Sequence, residues 1–306
     1  MRFQSEVAVT KAIMTKWLVV QKDYGQLGNR LHTHANALAF AIEHDLNLLN
    51  LSFTEQAKGF SRHKGLAADR HLPQAFVLRL LLSLPKVLPI LQRLSLSDRH
   101  LAKLGNWLRV IVRNDDETLE EQDLINALAQ SPSSRILLIR SWDLNCPQSL
   151  EKQASEIRQR LSPRQETQKA VADLLGSMPS HDLLVGLHAR RGDYATWLDG
   201  RHYHSWEQYA EWLHQTHRLL LQQGYKPAYL LCSDESPPGG VFSPLPVVIG
   251  QRDPMTDLYA LASSRLLLGP PSSFGSWASF YGEIPHLVLQ PGSSVSTLPT
   301  SLCTPR

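Results

Sequence analysis

The sequence predicts an α/β protein built from parallel strands and crossover helices, divided into two Rossmann-like domains. Three observations carry that expectation. The chain has 306 residues, more than one compact domain usually holds, so two units of roughly 150 residues are the natural division. Short apolar runs alternate with helical stretches in both halves, the order of a parallel sheet rather than of hairpins. Polar segments repeatedly follow the apolar runs, and the carboxyl ends of parallel strands are where open α/β sheets bind ligands.

The first half opens with residues 17–20 (WLVV), a short apolar run with a β-branched pair. The turn Tyr24-Gly25-Gln26-Leu27-Gly28-Asn29 follows. From Leu31 the apolar Ala35, Leu38, Ala39 and Ile42 recur at helical spacing, ending near His44 and Asp45. Residues 46–51 then complete a βαβ unit. Residues 60–130 read as a helix-rich, irregular insert without a repeat. Residues 135–142 (RILLIRSW) read as a buried strand, and residues 150–161 have helical periodicity until Ser162-Pro163 breaks it. That break, or the helix just after it, sets the expected boundary, giving domains of residues 1–165 and 166–306.

The second half repeats the alternation. Residues 183–189 (LLVGLHA) form a strand that runs into Arg190-Arg191-Gly192-Asp193-Tyr194, and a helix from about residue 206 to 222 follows. A strand at 228–232 ends in Ser233-Asp234-Glu235. Residues 247–249 give a third strand, 257–264 a helix, and 265–268 a fourth strand. Pro270-Pro271-Ser272-Ser273-Phe274 then leads into a helix through Trp277 and Phe280.

Composition narrows the function classes. Hydrophobic residues at 42% and charged residues at 19% are ordinary for a globular chain. A formal charge of +3 is too small for a nucleic-acid binder, which concentrates Lys and Arg on one face; anionic small molecules remain suitable partners. Cys146, Cys232 and Cys303 are odd in number and widely spaced, which suggests neither a disulfide framework nor a zinc knuckle and fits a reducing cytoplasm. Glu6, Lys11 and Lys16 interrupt any secretory signal, so export is not expected. Residues 76–94 are the longest apolar stretch, but Arg79, Pro85, Lys86, Pro89 and Arg93 make a poor membrane span. They read first as two short packed helices and, as a second reading, as a basic, apolar surface for peripheral contact with anionic lipid at the inner membrane.

Arg190 and Arg191 carry the strongest chemical signal. Alternate side chains of a strand share a face, so His188 and Arg190 can point together into one cleft. A guanidinium offers a planar fork of donors and keeps its charge when partly buried, which suits a diphosphate; the alternative is a structural Arg191–Asp193 pair at a strand end. Ser272-Ser273-Phe274 lies between a strand and a helix, where N–H groups receive phosphate oxygens, or where a serine simply caps the helix. Asp234 could accept hydrogen bonds from a guanine or ribose, or be an exposed acidic turn. Gly25 and Gly28 lack the spacing of a dinucleotide fingerprint and more plausibly let backbone approach a ligand. No DxD triplet occurs, and His32 and His34 fall on different faces of a helix, so neither a metal nor a cofactor is expected.

Taken together, these segments resemble family 11 α-1,2-fucosyltransferases. Gly25-Gln26-Leu27-Gly28-Asn29-Arg30-Leu31, followed by Ala37 to Ala41, resembles that family's opening G-x-L-G-N-Q motif and helix. His188-Ala189-Arg190-Arg191-Gly192-Asp193-Tyr194 resembles its H-x-R-R-G-D-Y motif. Asp257-Leu258-Tyr259 and Ser272-Ser273-Phe274-Gly275-Ser276-Trp277 resemble its D-x-x-x-M and N-S-S-F-S-W-W segments. The turn departs from the family at Gln26 and Arg30, and the late motif departs in its glycine and single tryptophan.

The resemblance implies a GT-B architecture, two Rossmann-like domains facing a central cleft, with a GDP-sugar held by the C-terminal one. It implies fucose transfer from GDP-fucose, with inversion and without a metal, to a glycan or glycolipid acceptor of bacterial type in the cytoplasm. Arg190 becomes the catalytic diphosphate-binding residue, with Asn29 across the cleft near the reacting sugar. His188, Arg191, Asp193, Asp234, Ser272, Ser273, Phe274 and Gly28 become donor-binding residues. The base is left open among Asp193, Asp23 and Glu43. Another GDP-hexose as donor, or a non-catalytic nucleotide- or glycan-binding protein on the same scaffold, are the alternatives.

Overall fold

The structure, a computed structural model, describes residues 16–21, 25–61, 108–113, 117–134 and 136–303. Asp23, Tyr24, the segment 76–94 and most of the expected 60–130 insert lie outside the described residues. The chain divides into two units, Met1–Ser162 and Pro163–Arg306.

In the first unit, β1 (Trp17–Val20) leads to α1 (Leu27–Glu43) and β2 (Asn47–Asn50). Helix α1 begins four residues before the first apolar position of the sequence pattern, so Gly28 and Asn29 belong to its first turn and not to the preceding loop. The polar Asn29 and Arg30 hide that turn from a periodicity argument. Gly25 takes φ +61°, and a Cβ there would lie 2.2 Å from the Asn29 amide nitrogen, so only glycine serves at this bend. The rest of α1 is rich in alanine and buried on nearly every side, which suits a helix pressed onto a sheet.

Then come β3 (Leu108–Val112), β4 (Leu119–Glu120), α2 (Glu121–Gln130), β5 (Ile136–Arg140), β6 (Leu144–Asn145), α3 (Pro147–Lys152) and α4 (Ala154–Arg160). Strands β3 and β4 fall inside the stretch expected to be helical. The helix expected at 150–161 is two helices that meet at Gln153. The main sheet has the order β2-β1-β5-β3 and is parallel throughout. All four residues of the inner strand β1 are buried, as a strand covered on both faces requires.

The second unit contains α5 (Gln165–Gly176), β7 (Leu183–Ala189), α6 (Trp206–Gln222), β8 (Pro227–Ser233), β9 (Val247–Ile249), α7 (Pro254–Ala262), β10 (Leu266–Gly269), α8 (Ser273–Gly282) and β11 (His286–Val288). Its five-stranded sheet runs β11-β10-β7-β8-β9, all parallel. Strands β7 and β8 are buried along their whole length, and Tyr209, Trp212, Leu213 and Leu220 of α6 pack with Val185, Leu187, Tyr229 and Leu231 in one core. Ser205 caps α6 by accepting from Gln208 N–H. The edge strand β11 has no counterpart in the sequence expectation.

The strand order positions the site. From β7 the chain winds outward through β8 and β9, then returns to the other side of β7 for β10 and β11. The reversal falls between β7 and β10, and ligands of open parallel sheets bind outside the carboxyl ends at such a switch point. Among the described residues no helix is long and apolar enough to cross a membrane.

Candidate active site at a topological switch point

Two loops leave the carboxyl ends of β7 and β10, and they hold the two strongest sequence motifs. The strands pair with Leu268 opposite Leu187, which brings Gly269 against His188. A Cβ on Gly269 would stand 2.7 Å from the His188 carbonyl oxygen, so this closeness demands glycine. His188 is buried, 6% exposed. Its Nδ1 lies 3.2 Å from Ser272 Oγ, and its ring stacks on Phe274 with centroids 4.8 Å apart. Burial first, then the charge of Arg190 and the nearby His286, lowers its pKa to about 3; His188 is therefore a neutral, rigid wall at neutral pH.

Ser272 is the N-cap of α8, accepting from Gly275 N–H at 3.0 Å. Its hydroxyl is thus turned to the helix and to His188. The backbone N–H groups of Ser273 and Phe274 lie in the first turn, at the positive end of the helix dipole. His286 of β11 presses on the same turn, its Cε1 2.7 Å from where a Gly275 Cβ would be.

Arg190 follows β7 and stands on a carboxylate fork. Its Nε donates to Asp193 Oδ1 at 2.8 Å and a terminal nitrogen to Oδ2 at 2.9 Å, while the other terminal nitrogen lies 3.4 Å from Asp234 Oδ2. Burial works against the charge, but hydrogen bonding and attraction from Asp193, with Asp234 behind, outweigh it and raise the Arg190 pKa. The guanidinium carbon is 5.9 Å from the centre of the Tyr194 ring, and Tyr194 donates its hydroxyl to the Pro271 carbonyl at 3.0 Å. The Arg190 loop is thereby tied to the loop that starts α8.

Arg191 has the opposite environment. It is 11% exposed, donates from Nε to Glu235 at 2.9 Å and from its other nitrogens to the His204 carbonyl and the Tyr203 hydroxyl. Its guanidinium lies over the Tyr203 and Trp206 rings. Every nitrogen is engaged, which makes Arg191 a pin for the segment 203–206. The structural pair considered from sequence, Arg191 with Asp193, does not form: Asp193 holds Arg190, and Glu235 holds Arg191. Asp234 accepts from the Arg191 backbone N–H at 2.9 Å and lies 2.8 Å from a Cβ placed on Gly192, so its carboxylate organises the arginine loop.

In the first unit, Gly28 and Asn29 both lie in the opening turn of α1. Glu43, at the far end of that helix, is about 21 Å along the axis from Asn29. Its carboxylate accepts from Lys152 at 2.6 Å and Gln153 at 3.1 Å, and these hydrogen bonds, Lys152 first, lower its pKa. A carboxylate so held is engaged in an ion pair with Lys152. His32 lies 3.5 Å from Asp143, whereas His34 is paired with Asn50 at 3.2 Å and stacked on Phe53 at 4.0 Å. Among the described residues no group of three or more His, Cys, Asp or Glu could hold a metal ion.

Some residues of this site carry no sequence signal of their own. Tyr194 is inside a motif but shows its role only through Pro271, 77 positions away. His286 is a lone histidine that only strand pairing brings beside α8, and Gly269 is an ordinary strand-end glycine until β10 is seen to pack against β7.

No family model matches the sequence, and neither does any curated protein. Solved structures do resemble it in fold. FUT1 of Arabidopsis thaliana, a mutant in complex with GDP, superposes with a TM-score of 0.58 at 14% identity over 90% of this chain and 70% of that one. POFUT1 in complex with GDP-fucose gives 0.54 at 12% identity, covering 90% and 98%. The fucosyltransferase NodZ from Bradyrhizobium gives 0.51 at 17%, covering 86% and 91%. The chain therefore has the mixed α/β, GT-B-like fold of these fucosyltransferase structures.

Proposed function

We propose that the chain is a glycosyltransferase that takes fucose from GDP-fucose and passes it to a hydroxyl of a glycan or glycoconjugate acceptor. The observation that carries this reading is that Tyr194, whose ring the Arg190 guanidinium faces, hydrogen-bonds Pro271 and so ties the Arg190 loop to the loop that starts α8, at the switch point between β7 and β10. A diphosphate leaving group needs positive charge that is already in place, and a guanidinium and a helix N-terminus carried on two tied loops provide it without reorganisation. The fold is that of structures bound to GDP or GDP-fucose, and the motif resemblance points to the same donor.

In this reading Arg190 stabilises the departing diphosphate, while the first-turn N–H groups of Ser273 and Phe274 receive phosphate oxygens. Neutral His188 and Phe274 wall the site and keep the turn in place. The carboxylates engage three nitrogens of Arg190, yet each terminal nitrogen carries a second N–H for phosphate. Asp193, 55% exposed, is the partner that can yield when phosphate arrives; Asp234 stays behind to orient the loop. Its engagement with Arg190 makes Asp193 a positioning residue, and the base stays unassigned. Inversion by direct displacement, independence of metal, and a place for Asn29 near the reacting sugar follow from the resemblance and belong to the proposal.

Calorimetric titration with GDP-fucose and GDP-mannose, without added metal, tests it. Wild-type protein is expected to bind GDP-fucose preferentially. Arg190→Ala is expected to lose about 2 kcal/mol, or roughly 30-fold, because a charge-assisted contact is removed. Equal affinity for GDP-mannose would reassign the sugar, and binding unaffected by Arg190→Ala would favour a non-catalytic binding protein. Failure of wild-type protein to bind either donor overturns the proposal.

A further inference from the structure

We infer that the segment after Arg190 presents Trp197 as a stacking platform for a pyranose ring of the acceptor, naming that ligand as the acceptor on the strength of the transferase reading above. The platform is continuous with the site. Tyr194, against which Arg190 packs, stacks on Trp197 with centroids 5.0 Å apart and planes 27° from parallel. His202 closes the cluster at 5.7 Å from Trp197 and 6.3 Å from Tyr194. The hydroxyl of Tyr194 is fixed to Pro271, so the base of the stack is rigid and anchored to the loop before α8.

Trp197 itself is 43% exposed, and Leu198 and Tyr203 beside it are also exposed. Three large apolar side chains in one short loop next to a site are not scattered surface residues; such patches mark ligand surfaces. The backbone strengthens the case. Leu198 at φ 50°, Asp199 at φ 56° and Gly200 at φ 73° form a left-handed run in which two residues carry a Cβ. That conformation is unfavourable for ordinary residues and persists only where surrounding contacts enforce it. Those contacts are present: Tyr194 is pinned on one side, and on the other Arg191 clamps Tyr203, the His204 carbonyl and Glu235.

The chemistry of the surface matches a sugar. Tyr194 stacks on Trp197 and His202 tilts against it, while the part of the indole that stays exposed can take a flat partner. A pyranose offers a C–H face for such a ring and a rim of hydroxyls. Asp199 and Arg201, both exposed, carry planar groups that take paired hydroxyls, and His202 Nδ1 is buried without a hydrogen-bond partner. A nucleobase also stacks on indole, but small-molecule sites enclose most of their ligand. Trp197, Leu198, Asp199 and Arg201 are all exposed instead, as contact with an extended saccharide requires.

The test uses the full chain on a broad glycan array in the presence of GDP, comparing wild type with Trp197→Ala and Trp197→Phe, and circular dichroism to verify folding. Wild type is expected to bind a subset of saccharides, Trp197→Ala to bind them about tenfold more weakly, and Trp197→Phe to retain most of the affinity. Equal binding by Trp197→Ala, or no saccharide bound by wild type, overturns the platform. Loss of GDP affinity in Trp197→Ala with saccharide binding unchanged also overturns it and makes the surface a nucleobase site. Titration of the wild type with GDP separates the two proposals: Trp197-dependent saccharide binding without GDP binding defeats the donor reading and leaves the platform standing.

Discussion

At the scale of single residues, neighbours in sequence have opposite fates. Arg190 lies on the half-exposed carboxylate fork of Asp193 at the switch point, whereas Arg191 is saturated by Glu235, Tyr203 and the His204 carbonyl. The motif announces both arginines, but alternation at a strand end cannot say which partner each finds 44 residues away. The buried histidines show the same limit. His34 and His188 both have pKa values lowered to about 3, by burial first and then by arginine charge. An unfolded chain takes up protons on these groups below about pH 6.5, while the folded chain does not until about pH 3. Stability present above pH 6.5 is therefore lost as pH falls through that window, at up to about 1.4 kcal/mol per pH unit for each histidine. Thermal unfolding as a function of pH measures this. His34→Leu is expected to flatten the acid side, and an unchanged slope would show that His34 is not held neutral.

At the scale of elements, helix α8 is fitted more tightly than its sequence suggests. A Cβ on Gly282 would lie 2.0 Å from the Ala262 carbonyl oxygen at the end of α7, so Gly282→Ala must push the two helices apart. Overpacking of this kind costs about 1–3 kcal/mol. Denaturant unfolding is expected to show that loss, and because the displacement reaches the start of α8, GDP affinity is expected to fall with it. A variant as stable as wild type would contradict the packing. Element identity was largely legible. Helix α6, with its long amphipathic run after Ser205, has the same limits in sequence and structure, as has β7. The start of α1 was hidden by its polar first turn. The fragments β3, β4 and β11 were not read from the sequence, and each is set by the hydrogen bonds that a neighbouring strand offers it.

At the scale of the whole molecule, the chain divides at the Ser162-Pro163 step. The second unit contains a complete five-stranded sheet and its own core of aromatic and aliphatic side chains. Arg190, His188, Ser272 and the Trp197 loop all belong to it. Expressed alone, residues 163–306 are expected to unfold cooperatively and to retain measurable affinity for GDP, read by calorimetry and thermal melts. A fragment that unfolds without a transition would mean that this unit depends on the first for its stability. A fragment that folds but does not bind would place essential donor contacts in the first unit, where Gly28 and Asn29 lie.

The sequence by itself determined the alternation of strands and helices, the parallel sheets, and the motif-bearing loops at strand ends, because these follow from local periodicity and backbone chemistry. It also ordered the motifs well enough to suggest a donor class. The tertiary structure alone decided that β10 pairs with β7, and hence that Ser272 meets His188, Tyr194 meets Pro271, and Asp193 takes Arg190 from Arg191. Strand order depends on long-range packing free energy, which no local pattern of residues encodes. The site exists where that order reverses.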